Sequence, residues 1–238
     1  MRLSRFFIDA PLSLGQHPLP EASAHYIGRV LRLTAGSAVQ LFDGSGDEFR
    51  GELLEVGKKA VTVELHERLN GMPESTLQIH LGQGLSRGER MDWAIQKATE
   101  LSVTQITPII SERCEVRLSD ERADKRLAHW RQIAISACEQ CGRSVLPIIH
   151  APISLRDWLT IEADLKLVLH PVAEPLTSHA KPQTLAFLIG PEGGLSESEV
   201  EQAAAQGFLP ARLGPRVLRT ETAPVVALSV AQQLWGDF

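Results

Sequence analysis

Short segments in which hydrophobic and polar residues alternate dominate the chain up to about residue 70. The clearest of them lie at 38–42, 49–56 and 60–65, and each predicts a β-strand that buries one face. Residues 43–47 (DGSGD) separate the first two and are typical of a hairpin turn, because glycine adopts positive φ angles without strain. One short helix is predicted at about 24–31. Together these segments predict a small β-barrel.

The hydrophobic pattern changes after residue 75. Apolar runs that are typical of buried strands now alternate with stretches in which apolar residues recur at helical spacing, as at Met91 and Ile95. The predicted strands are 77–81, 106–110, 165–169 and 185–189, and the predicted helices are 89–101, 123–141, 196–206 and 223–235. This alternation predicts an α/β fold with a mostly parallel sheet covered on both faces.

A turn-forming stretch at 70–75 (NGMPES) separates the two patterns. It combines glycine, proline and polar residues, a composition that is typical of a linker. We therefore predict two domains, 1–72 and 73–238. A length of 238 residues allows either one large domain or two small ones, so it is compatible with this division.

Composition excludes several classes of protein. Hydrophobic residues make up 43% and charged residues 22% of the chain, which is typical of a folded globular protein and not of a disordered or fibrous one. No run of about 18 apolar residues occurs, and the N-terminus reaches a charge before a signal-peptide core could form. Three cysteines do not make a disulfide framework. We predict a cytoplasmic protein with no membrane partner.

The glycine-rich segment 185–199 (LAFLIGPEGGLSESE) is the first candidate for chemistry. An apolar strand leads into a glycine turn and then into a helix that opens with Ser196 and Glu199, the spacing of a capping box. Glycines let a backbone approach a ligand closely, and open α/β sheets bind ligands beyond the carboxyl ends of their strands. The alternative is a turn that only connects two elements. The segment is neither GxGxxG nor GxxxxGK[ST], so it gives little support to a nucleotide-phosphate site.

A second glycine-proline turn lies in segment 211–224, just before the last apolar helix. We predict Thr222 as the N-cap of that helix, with Pro224 in its first turn. The charged residues of the segment are Arg212, Arg216, Arg219 and Glu221. Three arginines against one acid give a local charge of +2 in a chain whose formal net charge is -5. This local excess beside a glycine turn indicates an anionic partner.

Segments 187–194 and 213–223 resemble the paired C-terminal motifs of SPOUT methyltransferases. The most similar family methylates N3 of uracil in 16S ribosomal RNA. Other stretches that agree with this family are 5–7, 25–33, 97–101, 111–113 and 137–143. The resemblance covers nearly the whole chain. Two positions depart from the family pattern: Ser102 replaces a frequent glycine, and Cys141 replaces a common serine.

The resemblance implies a fold, a cofactor and partners. Residues 1–72 would form a PUA-like, RNA-binding β-barrel, and residues 73–238 would form a SPOUT methyltransferase domain with a parallel sheet and a deep trefoil knot. The cofactor would be S-adenosylmethionine. The substrate would be 16S rRNA of the small ribosomal subunit, and the protein would act as a homodimer.

The resemblance also implies site residues. Three loops carry the cofactor-binding positions, which are Leu169, Leu188, Ile189, Gly190, Gly193, Gly194, Leu213, Gly214, Leu218, Thr222 and Ala223. Arginines of the barrel or near the motifs are the candidates for RNA contact. They are Arg2, Arg5, Arg29, Arg32, Arg113, Arg143 and Arg216.

Methylation of uracil N3 sets chemical requirements. N3 is a weak acid that holds its proton at neutral pH, so its developing negative charge must be stabilised and its proton removed. Our hypothesis is that Arg219 stabilises the charge and that Glu221 or Glu192 accepts the proton, because these side chains flank the two glycine turns. No metal is required. N3 also lies on the Watson–Crick edge, so the target nucleotide must be unpaired or splayed out.

Other functions remain open at this point. The same fold is compatible with a non-catalytic RNA-binding or ribosome-assembly protein, or with methylation of another base or a ribose hydroxyl. The intact glycine turns favour the enzyme. Cys138 and Cys141 form a CxxC pair, but the pair lies in a predicted helix without a second CxxC or a histidine at zinc spacing. A redox or metal site therefore has little support, and His170 at a strand end is interpreted as structural.

Overall fold

The structure is a computed structural model, and the residues that it describes are 3–57, 60–116 and 119–238. The chain divides into two compact units. The first unit comprises Met1–Glu74 and Cys138–Leu146, and the second comprises Ser75–Ala137 and Pro147–Phe238. The sequence did not indicate that a segment from the middle of the chain joins the first unit. The domain boundary at residue 72 stays a prediction.

The first unit contains a five-stranded sheet in the order β1-β3-β4-β5-β2. Its elements are β1 (Ser4–Phe7), β2 (Gly15–Pro18), α1 (Glu21–His25), a π-helical turn (Tyr26–Val30), β3 (Ala38–Phe42), β4 (Asp47–Val56) and β5 (Val61–Asn70). β1 runs parallel to β3, and the other neighbours are antiparallel. The predicted hairpin turn at 43–47 is confirmed, because β3 and β4 pair on either side of it.

Alternation along the strands decides which side chains fill the core of the first unit. Along β5, Val61, Val63 and Leu65 are buried, and they pack with Leu53 of β4 and Ile27 of the π-helical turn. Hydrophobic and polar residues alternate in these strands because every second side chain faces the core. β1 and β2 were not predicted, because a strand of four residues is too short for alternation to be recognised.

The second unit has an α/β fold built on a parallel sheet in the order β12-β10-β11-β6-β7-β8, with β9 also paired to β7. The elements from residue 75 onward are β6 (Gln78–Gly84), α2 (Glu89–Glu100), β7 (Gln105–Ile110), α3 (Asp120–Cys141), β8 (Ile148–Ile149), β9 (Ile153–Ser154), α4 (Leu155–Trp158), β10 (Leu165–Pro175), a 3-10 turn (Leu176–Ser178), β11 (Thr184–Ile189), α5 (Glu197–Ala205), β12 (Leu209–Arg212) and α6 (Thr222–Trp235). Neighbouring strands pair in parallel, as the sequence predicted. Among the described helices, none is long and apolar enough to cross a membrane.

The central strand β11 is buried on both faces of this sheet. On one face, Phe187 belongs to a core cluster with Trp130 of α3, and on the other, Leu188 belongs to a cluster with Trp158 of α4. A parallel strand covered on both sides requires a continuous apolar run, and 185–189 provides one. The run that predicted a buried strand is therefore explained by its place in the sheet.

The carboxyl edge of the sheet holds two connections that matter for function. Residues 190–194, the glycine turn, lead from β11 to α5, and residues 213–221, the arginine loop, lead from β12 to α6. Between them lies β10, whose pairing with β11 ends at Val168. Because these strands are parallel, their carboxyl ends meet at one edge, where open α/β sheets bind ligands.

The predicted N-cap of the last helix was wrong. Thr222 is the first helical residue of α6, and Glu221 precedes it without capping the helix through its side chain. The backbone N–H groups of Thr222 and Ala223 both donate to the carbonyl of Arg219, so the chain is already turning helically before residue 222. A threonine inside the first turn cannot act as the N-cap.

Candidate active site

A cavity of about 1000 Å³ opens at the carboxyl edge of the parallel sheet. Leu169 and His170 of β10, Ile189 with the glycine turn, and most of the arginine loop form its walls. Arg90 of α2 and the first half of α5 complete the lining. Apolar side chains beside the exposed backbone of two turns are typical of a site for a small organic ligand with polar groups.

The glycine turn is tight enough to require its glycines. The N–H of Gly194 donates to the carbonyl of Pro191 at 2.9 Å, and Gly194 has a φ of 69° that favours glycine. A Cβ on Gly190 would lie 3.1 Å from the backbone of Gly194, and a Cβ on Gly193 would lie 3.0 Å from the Cβ of Arg113. Larger residues would therefore change the shape of the cavity wall.

Helix α5 and the loop after β7 hold the glycine turn in place. The predicted capping box is confirmed: Ser196 Oγ accepts the N–H of Glu199 at 3.2 Å, and Glu199 Oε2 accepts the N–H of Ser196 at 2.9 Å. The second oxygen of Glu199 accepts the N–H of Glu112 at 2.7 Å, and Arg113 Nη1 donates to the Gly193 carbonyl at 3.2 Å. Two independent elements thus fix one turn.

Thr220 joins the arginine loop to the glycine turn. Its side chain is buried, and its hydroxyl donates to the carbonyl of Gly190 at 2.9 Å. At the end of β6, Gln83 Nε2 donates to the same hydroxyl at 3.1 Å, and Ser86 Oγ lies 3.4 Å from it. A single buried hydroxyl therefore links three connections of the sheet.

Charged side chains form one rim of the cavity. Arg90 Nη1 lies 2.7 Å from Glu192 Oε1, and Arg90 Nε lies 4.0 Å from Glu221 Oε2. The backbone N–H of Arg87 also donates to Glu192 Oε1 at 3.2 Å. Arg219 lines the same cavity and is exposed. The three predicted catalytic side chains thus share one cavity, while their roles stay predictions.

The two acids of this rim differ in how they are held. Burial acts to raise the pKa of Glu192, but the hydrogen bond from Arg90 and the backbone N–H bonds outweigh it and hold the pKa below its ordinary value. The hydrogen bond to Glu192 in turn raises the pKa of Arg90. Glu192 is therefore an ionised partner of Arg90 and a weak proton acceptor. Glu221 makes the longer contact with Arg90.

Most of the cofactor positions implied by the sequence resemblance line the cavity. They are Leu169, Ile189, Gly190, Gly193, Gly194, Leu213, Gly214, Leu218 and Ala223. Leu188 and Thr222 do not. The side chain of Leu188 is fully buried in the core cluster of Trp158, because neighbouring residues of a strand point to opposite faces.

The predicted RNA-contacting arginines fall into different environments. Arg216 lines the cavity, and Arg113 lies against the glycine turn. Arg29 and Arg32 are exposed in the first unit. Arg2 lies outside the described residues. The role of these residues in RNA binding stays a prediction.

Two arginines of that set are largely buried and form ion pairs. Arg5 lies 2.6 Å from Glu48 and Arg143 lies 2.5 Å from Glu74, with only 10% and 4% of the two arginine side chains exposed. Arg5 also donates to the backbone carbonyls of Cys138 and Arg143 at 2.5 and 2.7 Å. Both guanidinium groups therefore have acidic partners within the first unit, and their contact with phosphate stays a prediction. Sequence alone does not reveal which arginines have acidic partners far along the chain.

The CxxC pair lies at the end of α3. Cys138 is buried, and this burial raises the pKa of its thiol to about 12. A thiol that stays protonated is a poor nucleophile and a poor metal ligand, which agrees with the sequence interpretation.

Several residues of the site were not predicted from the sequence. They are Gln83, Ser86, Arg90 and Thr220. A signal for the first three did exist, because 83–90 (QGLSRGER) also leads from a buried strand through glycines into a helix. Thr220 had no such signal, because its place in the site depends on hydrogen bonds with Gly190 and Gln83, which are 30 and 137 positions away in the chain.

Two family models match the chain. One describes an RNA methyltransferase domain and matches residues 73–232, and the other describes an RNA methyltransferase PUA domain and matches residues 19–65. The class defined by the fold and the site is therefore that of RNA methyltransferases.

Curated relatives and solved structures agree with this class. A protein of Buchnera aphidicola subsp. Acyrthosiphon pisum called ribosomal RNA small subunit methyltransferase E is 34% identical, with 100% of this chain and 96% of the relative covered. A Bacillus subtilis protein of the same name is 33% identical, with 95% of each chain covered. Two solved structures are each 40% identical to this chain, with 100% of both chains covered. One is a Legionella pneumophila protein described as a methyltransferase in complex with the cofactor SAM (TM-score 0.97). The other is ribosomal RNA small subunit methyltransferase E from Neisseria gonorrhoeae bound to S-adenosyl methionine (TM-score 0.93). The chain belongs to the family of RNA methyltransferases whose curated members are called ribosomal RNA small subunit methyltransferase E.

Proposed function

We propose that the protein is an S-adenosylmethionine-dependent enzyme that methylates N3 of a specific uridine in 16S rRNA of the small ribosomal subunit. The observation that carries this proposal is the cavity lined by both glycine-containing connections, in a chain with 40% identity to methyltransferases solved with the bound cofactor. The names of the curated relatives support the small-subunit rRNA as substrate. The choice of uridine N3 rests on the resemblance of the two C-terminal motifs.

The residues that line the cavity fit this cofactor. For Gly214, with a φ of 99°, and for Gly194, no heavy atom of the described residues beyond their chain neighbours lies within 4 Å of the place where a Cβ would stand, so both leave space beside an exposed backbone. Leu213 and Leu218 supply apolar surface for an adenine ring, and backbone amides of the two turns supply hydrogen bonds. We assign cofactor binding to the cavity-lining residues of the implied set, with Leu188 and Thr222 acting through their backbone only.

The charged rim has two roles in methyl transfer. When bound, S-adenosylmethionine supplies a methyl group activated by its sulfonium for in-line transfer to a nucleophile. Arg219 is positioned by the arginine loop to stabilise negative charge on the uracil oxygens as N3 loses its proton. Glu221 is the stronger candidate for accepting that proton, because Glu192 is already ion-paired with Arg90 at 2.7 Å.

RNA binding is assigned to the exposed arginines. Arg113 and Arg216 lie beside or in the cavity, and Arg29 and Arg32 lie on the surface of the first unit. The family match of residues 19–65 to an RNA methyltransferase PUA domain supports a role of the first unit in RNA contact. Phosphate contacts of this kind would position a splayed-out nucleotide without reading its sequence.

The architecture is part of the proposal. We assign residues 1–72 to a PUA-like β-barrel and residues 73–238 to a SPOUT domain with a deep trefoil knot. The knot is implied by the resemblance of the two C-terminal motifs. In β10, Leu169 and Glu174 both pair with Ala211, so residues 170–173 form a bulge opposite β12. A homodimer is supported by exposed apolar side chains at Leu234 and Phe238 near the end of α6. The proposed location is the cytoplasm, where the ribosomal substrate is.

The first experiment is calorimetric titration of the protein with S-adenosylmethionine and S-adenosylhomocysteine, with NAD as the comparator. We expect binding of the first two at about micromolar Kd and no binding of NAD. The second step is incubation with small subunits that lack the modification, followed by mass spectrometry of the nucleosides. Because a methyl group on N3 blocks Watson–Crick pairing, it also stops reverse transcription at one position.

The same experiment separates the other candidate functions. A methyl group on another base or on a ribose oxygen would contradict the uridine N3 assignment but keep the methyltransferase. Failure to bind the cofactor with or without rRNA would favour a non-catalytic RNA-binding protein.

Arg219 has its own test within this scheme. We expect Arg219→Ala to lower kcat by about 100-fold or more while Kd for S-adenosylhomocysteine changes little, since the side chain acts on the uracil. Arg212→Ala is the matched control, because Arg212 lies in the same cavity wall at the other end of the segment. An unchanged kcat and RNA affinity in Arg219→Ala would overturn the role of Arg219.

A further inference from the structure

Arg90, in the first turn of α2, lies in the cavity wall. It belongs to neither of the two C-terminal motifs, 187–194 and 213–223, so they assign no role to it. It is 102 residues away from Glu192 in the chain, and the two side chains meet at 2.7 Å. A role for Arg90 in this site deepens the proposed function and rests on it for the identity of the ligand.

The guanidinium of Arg90 faces a carboxylate from each of the two connections that form the cavity. Nη1 donates to Glu192 Oε1 of the glycine turn, and Nε lies 4.0 Å from Glu221 Oε2 of the arginine loop. The backbone N–H of Arg87 donates to the same oxygen of Glu192. Arg87, just before α2, and Arg90, in its first turn, therefore both hold the glycine turn by donating to the Glu192 carboxylate.

Glu192 is suited to be the anchor of this turn. Three of its five residues are glycines, which lack side chains that could hold the backbone in one conformation. The Gly190 and Gly193 carbonyls are held by Thr220 and Arg113, and the carboxylate of Glu192 provides an attachment between them. Loss of this attachment would free the part of the turn that faces the cavity.

Glu221 is available for interaction with the same guanidinium. It occupies the N-cap of α6, but its side chain does not cap the helix. Its side chain is 20% exposed and lies beside Arg90, which places its charge on the cavity rim. The position of Arg90 between the two acids also reduces the repulsion between their charges.

We propose that Arg90 is a positioning residue of the methyl-transfer site, which anchors the glycine turn through Glu192 and orients Glu221, and that Glu192 serves as an anchor rather than as the proton acceptor. The ion pair is partly exposed, with 43% and 29% of the two side chains accessible, so its loss affects the local conformation of the turn more than the stability of the fold.

The test compares Arg90→Ala, Arg90→Lys and Glu192→Gln with a control on the same helix. Lys97→Ala is the control, because Lys97 forms a 2.8 Å ion pair with Glu100 outside the cavity lining. Calorimetry with S-adenosylhomocysteine is the first measurement. We expect Arg90→Ala and Glu192→Gln each to weaken binding by about tenfold, Arg90→Lys to restore most of it, and Lys97→Ala to leave it unchanged.

Kinetics distinguish an anchor from a proton acceptor. For Glu192→Gln, we expect KM for S-adenosylmethionine to rise while kcat at saturation stays within about threefold of the wild type. A fall in kcat of about 100-fold with unchanged KM would identify Glu192 as the proton acceptor and overturn this part of the proposal. We expect the double variant Arg90→Ala/Glu192→Gln to be no weaker in binding than either single variant.

Hydrogen–deuterium exchange of the free protein tests the anchoring without any ligand. We expect Arg90→Ala to accelerate exchange in peptides that cover 188–196 and 219–224, and Lys97→Ala to have no such effect. Unchanged exchange would overturn the anchoring role. Accelerated exchange in a protein that binds no S-adenosylhomocysteine would retain the anchoring role and reject the proposed function.

Discussion

At the residue scale, His80 shows how packing changes the chemistry of a side chain. It stacks on His150 with ring centroids 5.3 Å apart, and its Nε2 lies 2.7 Å from the hydroxyl of Thr107 and 3.4 Å from the indole nitrogen of Trp158. Burial, together with the charge of His150, lowers the pKa of His80 from 6.5 to about 4. The imidazole is therefore neutral in the folded protein at neutral pH.

This lowered pKa predicts a loss of stability in acid. The unfolded state takes up a proton near pH 6.5, while the folded state does not until about pH 4, so the free energy of unfolding decreases as the pH falls between these values. We expect His80 to account for about 3 kcal/mol of that decrease at pH 4. Urea titrations of the wild type and His80→Gln measure it, because the variant has a flatter pH dependence.

Replacement of the exposed His66 is the control for His80. His66→Gln removes an imidazole that is exposed on β5 and leaves the buried cluster around His80 unchanged. If His80→Gln had the same pH profile as the wild type, the buried imidazole would not be the cause of the acid sensitivity.

At the scale of secondary-structure elements, the start of α5 shows how a local motif acquires a tertiary role. The capping box of Ser196 and Glu199 is readable from the sequence, and it satisfies N–H groups that a helix end leaves without partners. Glu199 in addition accepts the N–H of Glu112 from a loop 87 residues away. One carboxylate thus caps a helix and fixes the loop after β7.

The two functions of Glu199 predict unequal effects of two substitutions. Ser196→Ala removes one capping bond and should cost about 1 kcal/mol of unfolding free energy. Glu199→Ala leaves the N–H groups of Ser196 and Glu112 without an acceptor and should cost about 2–3 kcal/mol. Ser198→Ala, on the exposed side of the same turn, should change stability by less than about 0.5 kcal/mol. Equal costs in urea titrations for Ser196→Ala and Glu199→Ala would contradict this account.

The end of β6 lies directly against the glycine turn. A Cβ on Gly84 would lie 2.2 Å from the backbone nitrogen of Pro191, whereas a Cβ on Gly82 would lie 2.6 Å from the ring of Trp158. We expect Gly84→Ala to displace the turn and to weaken S-adenosylhomocysteine binding by about tenfold or more. Gly82→Ala should lower stability without a comparable loss of affinity.

Calorimetry and urea titration of these two glycine variants separate the effects. Affinity of Gly84→Ala equal to that of the wild type would show that the turn tolerates the displacement.

At the scale of the whole molecule, the first unit depends on a segment that is distant in the chain. Arg5 donates to Glu48 and to the carbonyls of Cys138 and Arg143, and Ser144 donates to Glu48 at 2.5 Å. Burial acts to raise the pKa of Glu48, but hydrogen bonds from Ser144, Arg5 and Gln40 hold it below its ordinary value. The fold of residues 1–74 therefore includes interactions with Cys138–Leu146.

This network predicts a large cost for losing one buried charge. Arg5→Met leaves the Glu48 carboxylate buried without its cation and should cost about 3–5 kcal/mol of unfolding free energy. Arg50→Met breaks the exposed pair of Arg50 and Glu67 and should cost less than about 1 kcal/mol. Chemical denaturation measures both. A cost for Arg5→Met no greater than that for Arg50→Met would show that the network is not needed for stability.

Local patterns in the sequence were sufficient for a large part of the structure. Alternation and helical spacing depend on neighbouring residues, so the strands of the hairpin, the parallel strands, the long helices and the capping box were predicted correctly. Glycine turns are local features as well, and they indicated where a ligand approaches the backbone. The motifs in these turns also indicated the methyltransferase family to which the chain belongs.

The partners of individual side chains were decided only by the tertiary structure. Arg5 and Arg219 are both arginines beside motif residues, yet one is buried against Glu48 and the other lines the cavity. Arg90 meets Glu192 across 102 residues, and Thr220 meets Gln83 across 137. Such contacts depend on the order of strands in the sheet and on the path of each connection. The spacing of residues in the sequence encodes neither of these. Two residues that are far apart in the chain interact only after folding has closed the loop between them, so the contact depends on the whole fold and not on a local pattern.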